Sequence, residues 1–190
     1  MTRHRGKIVF VTVVGVTGHQ RIPPEAHEWV ASKIRAILRS LELPLTGYSS
    51  LAMGADQLFA NEIVDAGGDL VAVIPCQDYE TTFAADDLTR YRAALTRARQ
   101  VIILDYPTPS REAFRAAGIK VADNSDVMVA VWDGEDSRGM GDTTDAVSYA
   151  KQIGKPIVVV WPSGVSHQSP RSPLSVPSVD QPQPSYLEPS

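Results

Sequence analysis

The chain has 190 residues and a formal net charge of -4 at neutral pH. That length suits one domain with a good-sized core, since two domains would each be small. The acidic balance argues against a protein built mainly to hold a nucleic acid backbone, because that affinity comes from surplus Lys and Arg. Cys76 is the only cysteine, so no intrachain disulfide can form, and a reducing, cytoplasmic compartment is expected.

In chain order, Arg3, Arg5 and Lys7 ahead of an apolar run imitate a secretory leader. The run itself, Lys7-Ile-Val-Phe-Val-Thr-Val-Val14, alternates β-branched residues, lacks a small-x-small cleavage site and leads into a glycine turn, so it reads as a buried first strand. No segment reaches the about eighteen apolar residues of a membrane span. The stretch Gly15-Val-Thr-Gly-His-Gln-Arg21 is expected to turn the chain into a helix. A buried strand, small residues and a helix N-terminus in that order suit phosphate, making Gly15, Thr17, Gly18, His19 and Arg21 candidate ligand groups. The spacing is not G-x-G-x-x-G, so the dinucleotide fingerprint is absent. Sterics alone would also place glycine in such a turn.

Pro23 and Pro24 open a helix whose largely apolar stripe is Ala26, Trp29, Val30, Lys33, Ile34, Ile37 and Leu38, with Trp29 expected in the core. Residues 43–49 read as a second strand, followed by Ser50-Leu-Ala-Met-Gly-Ala-Asp56 and a helix to residue 66. Gly67 and Gly68 end that helix by supplying a left-handed C-cap. Residues 69–75 form a third strand, buried on both faces as a parallel strand should be. A helix over 86–98 brings Arg90, Arg92, Arg97 and the adjacent Arg99; they could hold a polyanion, although a solvated face is the preferred reading. A fourth strand covers 100–105, a helix 109–124, a fifth strand 125–132 and a sixth 156–161, the last after a helix that begins near Thr143.

Strands alternating with helices predict a Rossmann-like, doubly wound parallel sheet of about six strands with helices on both faces, ordered 4-3-2-1-5-6, in one domain spanning residues 1–162. Residues 163–190 are rich in Ser and Pro and are expected to stay disordered, since they cannot bury enough apolar surface to offset ordering. In such folds ligands bind beyond the carboxyl ends of the strands where strand order reverses. The segment after strand five, Asp133-Gly-Glu-Asp-Ser-Arg-Gly-Met-Gly-Asp-Thr-Thr-Asp145, is rich in phosphate-binding chemistry. Gly139, Gly141, Thr143 and Thr144 would supply backbone and hydroxyl donors, while Gly54, Asp56 and Asp133 are further candidates and the two aspartates could accept from ribose or base. Asp133, Glu135, Asp136 and Asp142 could hold Mg2+ through a nucleotide phosphate, although a solvated acidic loop is the preferred reading. Cys76 with His19 lacks the third group that a thiol nucleophile requires, and His4, His27 and His167 show no zinc spacing.

Taken together, Val14-Gly-Val-Thr-Gly-His19, Ser50-Leu-Ala-Met-Gly-Ala-Asp56, Val73-Ile-Pro75, Ser125-Asp126, Val131-Trp-Asp-Gly134 and Gly141-Asp-Thr-Thr-Asp145 resemble the SLOG superfamily of Rossmann-like proteins. That superfamily includes the LOG family of cytokinin-activating hydrolases, the DNA-processing protein DprA and nucleotide-sensing domains of bacterial defence systems. The resemblance covers about residues 7 to 161 and implies nucleotide binding and, for many members, homo-oligomers. LOG hydrolases carry P-G-G-x-G-T-x-x-E, in which the glutamate serves glycosidic cleavage. Aligning threonine with Thr143 puts Ala146 at that glutamate, and alanine cannot move a proton or support an oxocarbenium-like transition state. Asp145, one residue away, is the remaining catalytic candidate. The expectation is therefore a protein that binds or senses a nucleotide or nucleotide-derived ligand with little or no catalysis. The alternatives are a nucleoside-monophosphate phosphoribohydrolase and a DprA-like single-stranded DNA binder, the last disfavoured by net charge.

Overall fold

The computed structural model of the chain describes residues 10–135 and 143–166. Twelve elements alternate along it: β1 (Thr12–Gly18), α1 (Pro24–Ser40), β2 (Leu45–Ser49), α2 (Ala55–Asp65), β3 (Asp69–Ile74), a 3-10 turn (Tyr79–Thr82), α3 (Ala85–Arg97), β4 (Gln100–Ile103), α4 (Arg111–Asp123), β5 (Val127–Val131), α5 (Thr143–Gln152) and β6 (Ile157–Val159). The six strands form one parallel sheet ordered β4-β3-β2-β1-β5-β6, the order expected from the sequence. Strand β1 sits at the reversal, pairing with β2 through Gly15↔Tyr48 and with β5 through Gly18↔Val131.

The first strand differs from its expected span. Phe10 and Val11 lie outside it and are exposed, and the strand continues through Gly15 to Gly18 where a turn was expected. The cause is close packing. A Cβ on Gly15 would lie 2.3 Å from Ser125 Oγ and 2.5 Å from Met128 Sδ, and one on Gly18 would lie 2.5 Å from Ala55 Cβ. Both glycines let neighbouring elements press against the sheet without leaving extended backbone.

Side chains alternate across the sheet, so each face has its own core. Val14, Val16, Leu70, Ala72, Ile74 and Val129 pack with Val30, Ile34 and Leu38 of α1 and Phe59 and Ile63 of α2. On the other face Val73 and Met128 meet Ala117, Val121 and Ala122 of α4 and Ala150 of α5. Full burial of a ring such as Phe59 contributes about 2 to 3 kcal/mol. Pro24 occupies the first turn of α1, where its missing N–H removes no helical bond. Helix α1 is fastened to α2 by Arg35, whose Nε and Nη2 donate to Glu62 at 2.8 and 3.0 Å. Trp29 corrects the expected core: it is 38% exposed, with Lys33 Nζ 5.3 Å from its ring centroid. The buried residues of α1 are Ala26, Val30, Ala31, Ile34 and Leu38, and Trp29 falls on the flank of that stripe. Helix α2 ends as expected: Gly67 is left-handed, its N–H donates to Val64 O, and Gly68 N–H donates to Ile63 O, the paired bonds of a Schellman cap.

No helix among the described residues is long and apolar enough to cross a membrane. Residues 1–9, 136–142 and 167–190, including Asp136, Gly139, Gly141, Asp142 and nearly all of the Ser/Pro-rich tail, lie outside the described residues.

Candidate functional site

A cleft of about 920 Å3 opens beyond the carboxyl ends of β1, β2 and β3, the end of a doubly wound sheet where ligands bind. Its floor is built by the segments that follow β1 and β2. His19 is 6% exposed, and its Nε2 lies 3.0 Å from Asp133 Oδ1. That Oδ1 also accepts from Glu135 N at 3.0 Å, and the imidazole meets the edge of Trp161 with ring centroids 5.1 Å apart. The His19 amide donates to Val131 O at 3.0 Å, and Ala55 N donates to His19 O at 3.1 Å. This corner is fixed by the protein on every side, and its His19 amide completes the sheet.

The turn after β2 is equally occupied. Asp56, in the first turn of α2, is 4% exposed. Its Oδ2 accepts from Ser50 N at 3.0 Å, Ser50 Oγ at 2.7 Å and Ser49 Oγ at 3.3 Å. Burial nevertheless outweighs these bonds and raises its carboxyl to about 6. Gly54 has φ of 74°, and a Cβ there would lie 2.5 Å from the carbonyl oxygens of both His19 and Gln20, so two stretches of backbone cross at this glycine.

The opposite wall is different. Thr143, Asp145, Ala146 and Tyr149 of α5 line the cleft, as do Phe114, Arg115 and Gly118 of α4. Thr144 Oγ1 is buried and makes no hydrogen bond. Ala146 packs where α4 and α5 approach closely: a Cβ on Gly118 would lie 3.6 Å from its own Cβ. Arg21, at the floor's edge, and Arg115 are exposed cleft residues with no ion pair among the described residues. The arginines at and after α3 are paired: Arg90 with Asp87, Arg92 with Glu80 at 2.5 Å, Arg97 with Asp65 and Arg99 with Asp69 at 2.6 Å. They form the solvated, ion-paired surface that was one of their two sequence readings.

Of the residues singled out in the sequence, Thr17, Gly18, His19, Arg21, Asp56, Thr143 and Asp145 line this one cleft. Gly15 and Gly54 serve packing beneath it, Asp133 sits behind His19, and Thr144 stands beside Thr143 without lining the cavity. Among the described residues, no group of three or more His, Cys, Asp or Glu is placed to hold a metal ion. Cys76 is buried, and desolvation raises its thiol above the ordinary value, which keeps it protonated and unreactive. Sequence reasoning missed Arg115, Phe114 and Tyr149 and gave no role to Tyr79 and Phe83. The available signals were the position of Tyr79 and Phe83 just after a strand and the four-residue step Phe114, Gly118 on the α4 face.

No family model matches the chain, and no curated protein sequence does. Solved structures do match. DNA processing protein A from Streptococcus pneumoniae superposes with a TM-score of 0.63 at 18% identity, over 83% of this chain and 53% of that one. The Helicobacter pylori DNA processing protein A, described for its single-stranded DNA binding mode, gives 0.57 at 17% identity, over 78% and 64%. The molybdenum cofactor carrier protein of Chlamydomonas reinhardtii gives 0.50 at 18% identity, over 79% and 76%. The chain thus spans about half to two thirds of the DNA processing proteins it matches. At these identities the likeness shows the fold alone, a Rossmann-like parallel sheet shared with these proteins.

Proposed function

We infer that the cleft binds a phosphate-bearing nucleotide or nucleotide-derived ligand and performs little or no chemistry on it. The observation that carries this is the convergence, in one cavity at the reversal of the sheet, of the first turn of α5 with two arginines, Arg21 and Arg115, that have no carboxylate partner among the described residues. A helix N-terminus offers free N–H groups and the positive end of a dipole. Guanidinium groups complete such a site by donating in pairs to phosphate oxygens. The folds that match this one belong to proteins described as binding single-stranded DNA or carrying the molybdenum cofactor, so the choice of ligand falls to the cleft's own residues.

The absence of chemistry rests on Ala146. It occupies the cleft wall where the LOG-type resemblance calls for a glutamate, and no methyl group can transfer a proton. The test is calorimetry of the whole protein against a panel of nucleoside monophosphates, with the products examined for free base. Binding of at least one member without base release is expected, and Arg115→Ala should weaken it by about 1.5 to 3 kcal/mol, the worth of a charge-assisted bond. No binding across the panel overturns the site. Robust release of base overturns the non-catalytic reading, and loss of that release in Asp145→Asn would identify the aspartate as the acting group.

A further inference from the structure

The cleft has two chemically different ends. The polar end lies at Arg21 and the start of α5. The other, beyond the end of β3, is walled by Met53, Pro75, Tyr79, Phe83, Pro109 and Phe114. Three of these are aromatic rings in one cluster: Tyr79 meets Phe83 edge-on at 5.0 Å and Phe114 at 6.3 Å between centroids. Core packing accounts for part of the cluster, since Tyr79 and Tyr91 are 5% and 3% exposed. It does not account for Phe83 and Phe114, which are only half-buried although Tyr91 and Tyr79 back them from within. Their uncovered surface belongs to the cleft.

A second observation points the same way. The Tyr79 phenol makes no hydrogen bond to any described residue, although its ring is nearly buried and it lines the cleft. Burial first, and then the nearby Asp56 charge, hold this phenol well above its ordinary range, so it remains an O–H donor at every physiological pH. Its oxygen is not sealed from solvent, so the hydroxyl is open to a partner in the cleft.

Resting on the nucleotide reading above, we propose that the wall formed by Tyr79, Phe83 and Phe114 is the subsite for the planar ring of the ligand, with Tyr79 donating a hydrogen bond to an acceptor on the ring edge. Stacking on aromatic side chains suits any base, because every base has a π-face, and is worth about five- to 150-fold in affinity.

The experiment is calorimetry of the full chain with three probes: adenosine monophosphate, uridine monophosphate and ribose 5-phosphate, which keeps the sugar and phosphate but has no ring to stack. Both nucleotides should bind at least about fivefold more tightly than ribose 5-phosphate. Phe83→Leu and Phe114→Leu, which keep apolar volume, should close that gap, and Tyr79→Phe should narrow it. Near-ultraviolet circular dichroism of each variant checks that the fold persists, and the three-probe comparison on the natural protein needs no variant at all. Equal affinity for all three probes overturns the ring subsite and leaves the phosphate reading standing. A loss in the leucine variants that is as large for ribose 5-phosphate as for the nucleotides also overturns the subsite. Failure of all three probes to bind overturns the phosphate reading and the ring subsite with it.

Discussion

The floor of the cleft and its α4–α5 wall obey opposite rules. On the floor the buried candidates are already spoken for, His19 by Asp133 and Trp161 and Asp56 by Ser49 and Ser50, and only Arg21 at its edge lacks an ion pair among the described residues. Gly18 and Gly54 stand where any side chain would collide. On the wall the Arg115 guanidinium lacks an ion pair among the described residues, and just behind the wall the buried Thr144 hydroxyl lacks a hydrogen bond. Residues that look like ligand groups in a sequence thus divide into those consumed in building the pocket and those left over to use it. Substitutions on the floor should change folding first, and substitutions on the wall should change binding alone.

The largest effect is expected at Gly18. A Cβ there would lie 2.5 Å from Ala55 Cβ and 2.7 Å from the Val131 carbonyl, so Gly18→Val should destabilise the fold by upwards of about 3 kcal/mol, the range of severe overpacking. Urea unfolding measures it, and a variant as stable as the natural chain would show that the floor is looser than described. Its loss of ligand binding, by itself, would say nothing about phosphate.

Next is Asp56. Its folded-state value of about 6 lies above the ordinary carboxylate value of 3.8, so the folded chain binds the proton more tightly than the unfolded one. This contribution to stability is complete below the ordinary value and is lost as pH rises through about 6, a change of about 3 kcal/mol. The natural protein minus Asp56→Asn, compared by denaturant midpoints from pH 4 to pH 7, should show that slope. Parallel curves would mean that the serine hydrogen bonds, and not desolvation, dominate.

The smallest effect sharpens the contrast between arginines. Arg92→Ala and Arg99→Ala remove exposed pairs with Glu80 and Asp69, so each should cost less than about 1 kcal/mol of stability and leave nucleotide affinity untouched. An affinity loss there matching that of Arg115→Ala would erase the distinction between paired and unpaired cations.

The order of the six strands was legible because each apolar run and each helical stripe is local, and connection rules supply the rest. What escaped was set by contacts far apart in the chain. Gly15 and Gly18 read as a turn because a glycine demanded by Ser125, Met128 or Ala55 looks the same in sequence as one demanded by a positive φ. The arginines near α3 were ambiguous because Asp65, Asp69 and Glu80 approach them from earlier segments. Trp29 was misplaced because helical spacing tells which stripe a residue borders and not how far a neighbouring helix reaches across it. Arg115 gave no local signal: an exposed arginine early in a helix becomes a cleft cation only when α4 is laid over the sheet beside α5.

The contact of His19 with Asp133 and Trp161 has a consequence for the making of the protein. Synthesis runs from the N-terminus at about 5 to 20 residues per second, so β1 and the histidine behind it are complete long before either partner exists. The residue that pairs with the imidazole comes 114 positions later, and the indole that abuts its ring follows β6, near the end of the described chain. At such rates roughly 6 to 23 seconds separate the making of His19 from that of Asp133. A chain halted just before Trp161 would hold all six strands and still lack the ring that closes the corner, so this aromatic contact forms only after the whole sheet has been made.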